Sequence, residues 1–237
     1  MEIYLFNLMA IGGLQKTSLI DYPGKISTVI FLAGCNLRCP YCHNRSLIEG
    51  KFVSYEENSV LDFLKKRRNF TEGVVLSGGE PALYKDLETL CSKIKYLGYP
   101  IKLDTNGTFP DKIELLLKKS LIDYIAMDIK TLPELYAPIF QKKAESEKIT
   151  ASIKTIIASR IPYEFRTTCS KKIINRKIIE KISEIISGAE LYALQQVNDK
   201  NPLNPDFFEN IQKNYDKDDM LYFKSIAEKK VKKCIVR

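Results

Sequence analysis

Short runs of β-branched and aromatic residues alternate along the chain with longer stretches whose apolar positions recur every three or four residues. The short runs, at 26–33, 73–77, 100–104, 124–128, 163–167 and 190–195, predict strands. The longer ones, near 55–68, 84–97, 111–119, 145–160, 174–186 and 219–232, predict amphipathic helices. Ser54 followed by Glu57 reads as a capping box opening the first helix, and Gly98 and Gly188 stand where helices should stop. Alternation of this kind implies an α/β fold with parallel strands and helices packed outside. No internal repeat, low-complexity tract or Gly-, Ser- or Pro-rich linker breaks the pattern. A single domain over 1–237 is therefore expected: an N-terminal extension at 1–25, a six-strand core at 26–196 and a C-terminal helical segment at 197–237.

Polar and glycine-rich groups appear repeatedly where a predicted strand ends. The first strand leads into Gly34-Cys35-Asn36-Leu37-Arg38-Cys39-Pro40-Tyr41-Cys42-His43-Asn44. The second ends in Ser77-Gly78-Gly79-Glu80-Pro81, the third in Asp104-Thr105-Asn106-Gly107 and the fourth in Asp128-Ile129-Lys130. The fifth carries Arg166-Thr167-Thr168 and the sixth Gln195-Gln196. Parallel α/β barrels build their sites at the C-terminal ends of the strands. Any one of these groups is also a good turn. Their succession is hard to dismiss as turn chemistry.

Cys35, Cys39 and Cys42 supply three thiols within one short loop. Thiolate sulfur suits iron–sulfur clusters and zinc, and three protein ligands leave one coordination position open for chemistry. A disulfide reading has to pair an odd number of cysteines. A zinc site completed by His43 would need adjacent side chains, Cys42 and His43, to reach one tetrahedral ion without strain. The remaining cysteines are scattered: Cys91 on an apolar helix face with Leu87, Leu90 and Ile94, Cys169 near a strand end, and Cys234 in a basic tail. No second ligand cluster is visible.

Composition changes the picture little. With 237 residues and 45% apolar content, the chain can bury one large core or two small ones. The formal charge of +8 comes mostly from dispersed lysines. These read either as solvated helix faces or as a basic surface that steers an acidic electron-donor protein. Residues 1–7 carry an acid and no basic segment, and no apolar run approaches the ~18 residues of a membrane span, so a cytoplasmic location is expected.

The cysteine loop with Tyr41 before its third cysteine, followed by Gly78-Gly79-Glu80, resembles the radical S-adenosylmethionine superfamily. The finer pattern, Tyr41-Cys42-His43-Asn44, Ser77-Gly78-Gly79-Glu80, Asp104-Thr105-Asn106-Gly107 and Asp128-Ile129-Lys130, resembles the glycyl-radical-enzyme activating proteins, such as pyruvate formate-lyase activating enzyme. The leader from Gly12 to Lys25 resembles the anaerobic ribonucleoside-triphosphate reductase activating branch. The resemblance, over about residues 12 to 196, implies a partial TIM-type (βα)6 barrel. About 210 residues follow the start of the first strand, against ~250 for a closed barrel. It also implies one [4Fe–4S] cluster on Cys35, Cys39 and Cys42, with S-adenosylmethionine chelating the fourth iron. Reductive cleavage of that cofactor would give a radical that abstracts hydrogen.

Carried over residue by residue, Gly78 and Gly79 let the backbone approach the cofactor's ammonium, and Asp104 pairs with it. Asp128 accepts from ribose hydroxyls, Lys130 meets the carboxylate, and Tyr41 and His43 pack against adenine. Glu80 is either a contact or a brace for the Gly-Gly loop. His43 is the one histidine of the chain, so the late-strand histidine of some relatives is missing and Gln195 or Gln196 could take its place. Arg166 is either a carboxylate contact or a structural ion pair. The implied partners are a glycyl radical enzyme as protein substrate and a flavodoxin or ferredoxin as electron donor. The turn formers from Asn198 to Pro205 end the barrel early, which would leave a lateral gap for a protein segment. Two other functions fit the residues less fully: radical chemistry on a small molecule, as in deazapurine synthesis, and a zinc-binding nucleic-acid module.

Overall fold

The computed structural model describes residues 9–140, 146–197, 202–208 and 214–237. Its strands are β1 (Ile11–Ser18), β2 (Ser27–Leu32), β3 (Gly73–Gly78), β4 (Ile101–Thr105), β5 (Tyr124–Asp128), β6 (Tyr163–Cys169), β7 (Tyr192–Gln196) and β8 (Cys234–Val236). Its helices are α1 (Arg45–Ile48), α2 (Glu57–Lys66), α3 (Leu87–Tyr96), α4 (Pro110–Lys118), α5 (Tyr136–Ile139), α6 (Ser146–Ala158), α7 (Arg176–Ile185) and α8 (Lys217–Ala227). The eight strands follow sequence order across one sheet. The predicted strands all form, each within two residues of the expected ends. Outside the described residues lie residues 1–7, read above for a signal segment, Glu145 at the expected start of α6, and Asn198 to Asn201 of the expected turn region.

Two strands go beyond the predicted set. β1 runs antiparallel to β2, pairing Ile11 with Leu32 and Leu14 with Ile30, so the N-terminal extension supplies an edge strand. Gly12, Gly13 and the polar Gln15-Lys16-Thr17 hide it from a pattern search. A Cβ on Gly12 would stand 2.5 Å from Leu47 Cδ2, so a larger residue there would have to displace that side chain. β8 pairs parallel with β7, setting Cys234 beside Tyr192. Cys234, in the basic tail of the sequence, is thus a buried strand residue. The capping box is a further correction. α2 starts with Glu56 at its N-cap and no side-chain capping bond. The Tyr55 N–H is already committed to the Ile11 carbonyl at 2.8 Å, so the chain stays extended past Ser54.

The chain divides into two compact units. The first comprises residues 1–36, 44–105 and 111–125 and contains β1 to β4 with α1 to α3. Its parallel register aligns Val29 with Val75 and Val75 with Lys102. α3 buries Leu87, Leu90, Cys91 and Ile94 at helical spacing and stops at Gly98, whose φ of 81° suits glycine. The second unit comprises 37–43, 106–110 and 126–237 and contains β6 to β8 with α5 to α8. There α7 opens on Asn175, whose side chain accepts from the Ile178 N–H at 3.1 Å. Asp216 caps α8 in the same way through the Asp219 N–H at 2.8 Å.

Candidate cofactor site

In the first unit the end of β3 is built against the root of the cysteine loop. β2 hands over to Ala33, whose N–H reaches the Ala10 carbonyl at 2.9 Å and whose own carbonyl accepts from Tyr84 Oη at 2.5 Å. Gly79 and Glu80 then donate their N–H groups to the carbonyls of Leu32 (2.8 Å) and Gly34 (2.9 Å). Side chains are excluded from this contact. A Cβ on Gly79 would stand 1.8 Å from the Gly34 oxygen, and one on Gly78, at φ +113°, 2.4 Å from the Leu32 oxygen. Asn44, on the far side of the loop, donates from Nδ2 to the Gly78 carbonyl at 2.5 Å. Residues flanking the three cysteines are thus fastened to one Gly-Gly-Glu turn. Glu80 is fully buried, and its Oε1 accepts from the Ala82 N–H (3.0 Å) and Thr105 Oγ1 (2.8 Å). Its carboxylate braces the turn.

Strand alternation sets Lys102 and Asp104 on one face of β4. Asp104 accepts from Ser77 Oγ at 3.0 Å through Oδ2 and from the Lys102 ammonium through Oδ1. The Lys102 side chain is 2% exposed and that of Asp104 13%.

In the second unit the middle of the cysteine loop closes a turn, with the Cys42 N–H on the Cys39 carbonyl at 3.0 Å. It is held from outside by Arg38 N–H to Phe140 O (2.8 Å), Leu203 N–H to Cys42 O (2.9 Å) and Asn204 N–H to Pro40 O (3.0 Å). The buried Tyr41 ring meets Phe140 edge-on at 6.2 Å, and Phe140 meets Tyr136 at 5.4 Å. Tyr41 Oη is buried with no hydrogen-bond partner among the described residues. His43 is exposed. Asn106 shapes the turn after β4, its Oδ1 accepting from the Thr108 N–H (3.0 Å) and hydroxyl (2.6 Å). Gly107, at φ +77°, has Met127 Cε 2.0 Å from where a Cβ would be.

Asp128 accepts from Arg166 Nε at 2.7 Å and Lys130 Nζ at 3.2 Å. Burial alone would raise its pKa, but the two cations outweigh burial and hold the carboxyl at about 2. Arg166 is therefore an ion-pair partner of Asp128. The Lys130 N–H donates to Tyr136 Oη at 2.9 Å. Gln195 is partly buried, while Gln196 is exposed and donates from Nε2 to the Tyr215 carbonyl at 2.9 Å. Sequence reasoning missed Lys102, Phe140 and Tyr136. Lys102 was legible in principle, since it stands two residues before Asp104 in a strand. Nothing in the pattern marks the two aromatics.

All six cysteines are present as thiols. Burial pushes Cys91, Cys169 and Cys234 up to about 12, as expected of packed core thiols. Burial also pushes Cys39 up to about 11, against the opposing charge of Lys130. Among the described residues no three His, Cys, Asp or Glu side chains already stand grouped as a metal site. The fit to an iron–sulfur cluster is therefore one of donor chemistry: three soft thiols in a short loop with fastened ends, beside an orphaned tyrosine hydroxyl.

A mainly parallel α/β sheet with this loop after an early strand is the architecture of radical S-adenosylmethionine enzymes. The radical SAM superfamily model matches residues 29–180, and the chain belongs to that superfamily. It is 38% identical over 205 residues, 83% of each chain, to a Methanocaldococcus jannaschii protein named provisionally as a glycyl-radical enzyme activating enzyme. It is 36% identical over 134 residues to pyruvate formate-lyase-activating enzyme of Clostridium pasteurianum, about half of each chain (51% and 52%). It is also 39% identical over 93 residues, 38% of each chain, to 7-carboxy-7-deazaguanine synthase of Hyperthermus butylicus. The crystal structure of Streptococcus suis SuiB bound to S-adenosylmethionine superposes with a TM-score of 0.66 at 15% identity, over 86% of this chain and 48% of that one. This likeness bears on the fold. Solved relatives of this kind are partial TIM barrels, so the expected fold class holds.

Proposed function

We propose that this chain is a radical S-adenosylmethionine activase that installs a glycyl radical on a partner enzyme. The observation that carries the reading is the 38% identity to the Methanocaldococcus jannaschii relative, spread over 83% of both chains. Cys35, Cys39 and Cys42 would hold a [4Fe–4S] cluster. When bound and reduced, such a cluster would supply one electron for cleavage of a carbon–sulfur bond of S-adenosylmethionine, the chemistry that would allow removal of a hydrogen atom from the target carbon.

The chain's own residues bind and orient the cofactor. The side-chain-free turn at Gly78-Gly79 admits the cofactor's ammonium close to backbone, and Asp104 offers it a carboxylate. Asp128 would take the ribose hydroxyls and Lys130 the carboxylate, with Tyr41 and His43 flanking the adenine. Glu80 would act as a brace, because its buried carboxylate already serves Ala82 and Thr105. Gln195 fits a cofactor contact better than Gln196, whose amide serves Tyr215.

The partner would be an anaerobic ribonucleoside-triphosphate reductase or another glycyl radical enzyme, presenting a backbone glycine on a flexible loop. The electron would come from a flavodoxin or ferredoxin drawn to the net charge of +8. The test uses reconstituted, reduced protein with S-adenosylmethionine and candidate partners under anaerobic conditions. A paramagnetic doublet on the partner, altered by deuterating its glycine and matched by equal 5′-deoxyadenosine, supports the activase. Turnover of a small molecule with no protein radical overturns it. That second reading draws on the 93-residue match to the deazaguanine synthase.

A further inference from the structure

Lys102 is a lysine on a strand, 2% exposed, and the cofactor roles set out above leave it without a task. An ammonium that deep must be paired, and it is: it donates to Asp104 Oδ1 and lies 6.0 Å from the Tyr124 ring centroid. Ser77, at the end of β3, donates to the other oxygen, Oδ2, at 3.0 Å. The register explains why the three meet. Val75 of β3 aligns with Lys102 of β4, so the next residues on the same faces, Ser77 and Asp104, come level with each other. Lys102 therefore lies one step before Asp104 in the direction of β4, away from the strand end where the Gly-Gly turn and the cysteine loop begin. A carboxylate has about four acceptor positions. Lys102 and Ser77 are two of its donors, one on each oxygen. This fixes the plane of the carboxylate.

We propose that Lys102 is a positioning residue: acting through Asp104, and together with Ser77, it holds the carboxylate in the orientation that receives the ammonium of S-adenosylmethionine. The inference rests on the reading of Asp104 as the ammonium's partner. Removing Lys102 has two opposed effects. It bares the negative charge of Asp104, which would favour an incoming cation, and it frees the carboxylate to turn away from the cofactor. The second dominates here because the Asp104 side chain is only 13% exposed. A carboxylate that loses its cation there turns toward its remaining donors.

The experiment is a double-mutant cycle on the reconstituted protein, read as the dissociation constant for S-adenosylmethionine with iron content checked in each variant. Lys102→Met keeps the length of the apolar stem. It should weaken binding about tenfold with Asp104 present and leave it unchanged in an Asp104→Asn background. Ser77→Ala, a smaller change that keeps the buried cation paired, should weaken binding about threefold and likewise lose its effect beside Asp104→Asn. The serine variant carries the test if Lys102→Met does not fold. Weakening by the same factor in both backgrounds, or unchanged or tighter binding in the Lys102 and Ser77 variants, overturns the positioning role. Unchanged binding in Asp104→Asn alone overturns the prior reading of Asp104 instead, so the two failures are told apart.

Discussion

Asn44 and Gly78 are joined across 34 residues by a 2.5 Å hydrogen bond from Nδ2 to the carbonyl, which fastens the exit of the cysteine loop to the end of β3. Its entrance is fastened to the same turn by Glu80 N–H on the Gly34 carbonyl. The two ties differ in kind. The first is one side-chain bond, and such bonds contribute about 1 kcal/mol. The second depends on backbones in contact, where no side chain fits at Gly79. Asn44→Ala should therefore fold normally and bind a cluster, but release iron to a chelator several-fold faster than wild type. Gly79→Ala should fail to fold or to hold iron at all, since backbone rather than a flexible side chain must yield. Equal iron retention in wild type and Asn44→Ala would remove the tie from the account.

Both glycines were legible as a motif, but the contact they make within the chain was not. A pattern of residues marks Gly78-Gly79 as a place where something approaches closely; only the coordinates show that the nearest approach is Leu32 and Gly34 of the chain itself. The central strands were legible because they are short β-branched runs between helices. β1 and β8 were not: one carries two glycines and a polar run on an exposed edge, and the other has three residues after a lysine-rich stretch. The roles of Arg166 and Glu80 were undecided for a related reason. Whether a charged side chain serves a ligand or its neighbours depends on partners 38 and 25 residues away. No local spacing encodes these.

The six cysteines divide into two groups by surroundings. Cys91, Cys169 and Cys234 are 0–1% exposed within packed cores, where thiolate formation is opposed by burial. Replacing Cys35, Cys39 or Cys42 by Ala should each abolish the reconstituted cluster's visible absorbance and S-adenosylmethionine cleavage. Replacing any of the other three by Ala should keep both, with a loss of about 1 kcal/mol of stability from the small cavity. A core cysteine that proves as necessary for iron as the loop cysteines would break this division.

The residue after β8, Arg237, makes an ion pair. Arg237 makes two bonds to Glu164, at 3.0 and 2.6 Å, and the Glu164 side chain is 1% exposed. Removing the cation strands a buried carboxylate. Breaking a fully buried pair costs about 3–5 kcal/mol, and the solvent access of Arg237 lowers that to about 1–3. Arg237→Ala should lower the midpoint of urea unfolding accordingly, and Glu164→Gln in the same background should recover part of the loss. If the double variant is no more stable than Arg237→Ala, the cost lies in lost β8 packing and not in the stranded charge.

The Asp128–Arg166 pair makes a prediction in pH. Arg166 and Lys130 overcome burial and lower the Asp128 carboxyl from 3.8 to about 2. A carboxyl depressed on folding releases its proton more readily in the native state. Its stabilisation is therefore complete above the unfolded value and disappears as pH falls through the folded one. The window lies between about pH 4 and pH 2. Arg166→Met removes the partner at 2.7 Å and leaves Lys130 at 3.2 Å, so the Asp128 carboxyl should move back up toward the ordinary carboxylate range. Wild type should thus be more stable than Arg166→Met at pH 5 to 7 by a constant margin, and the margin should shrink below pH 4. Asp128→Asn should lose the same acid-dependent component. Urea unfolding of the three proteins, without cluster so that acid-labile iron does not contribute, measures all three curves. A margin between wild type and Arg166→Met that stays flat down to pH 2 would mean that Asp128 does not titrate through this pair.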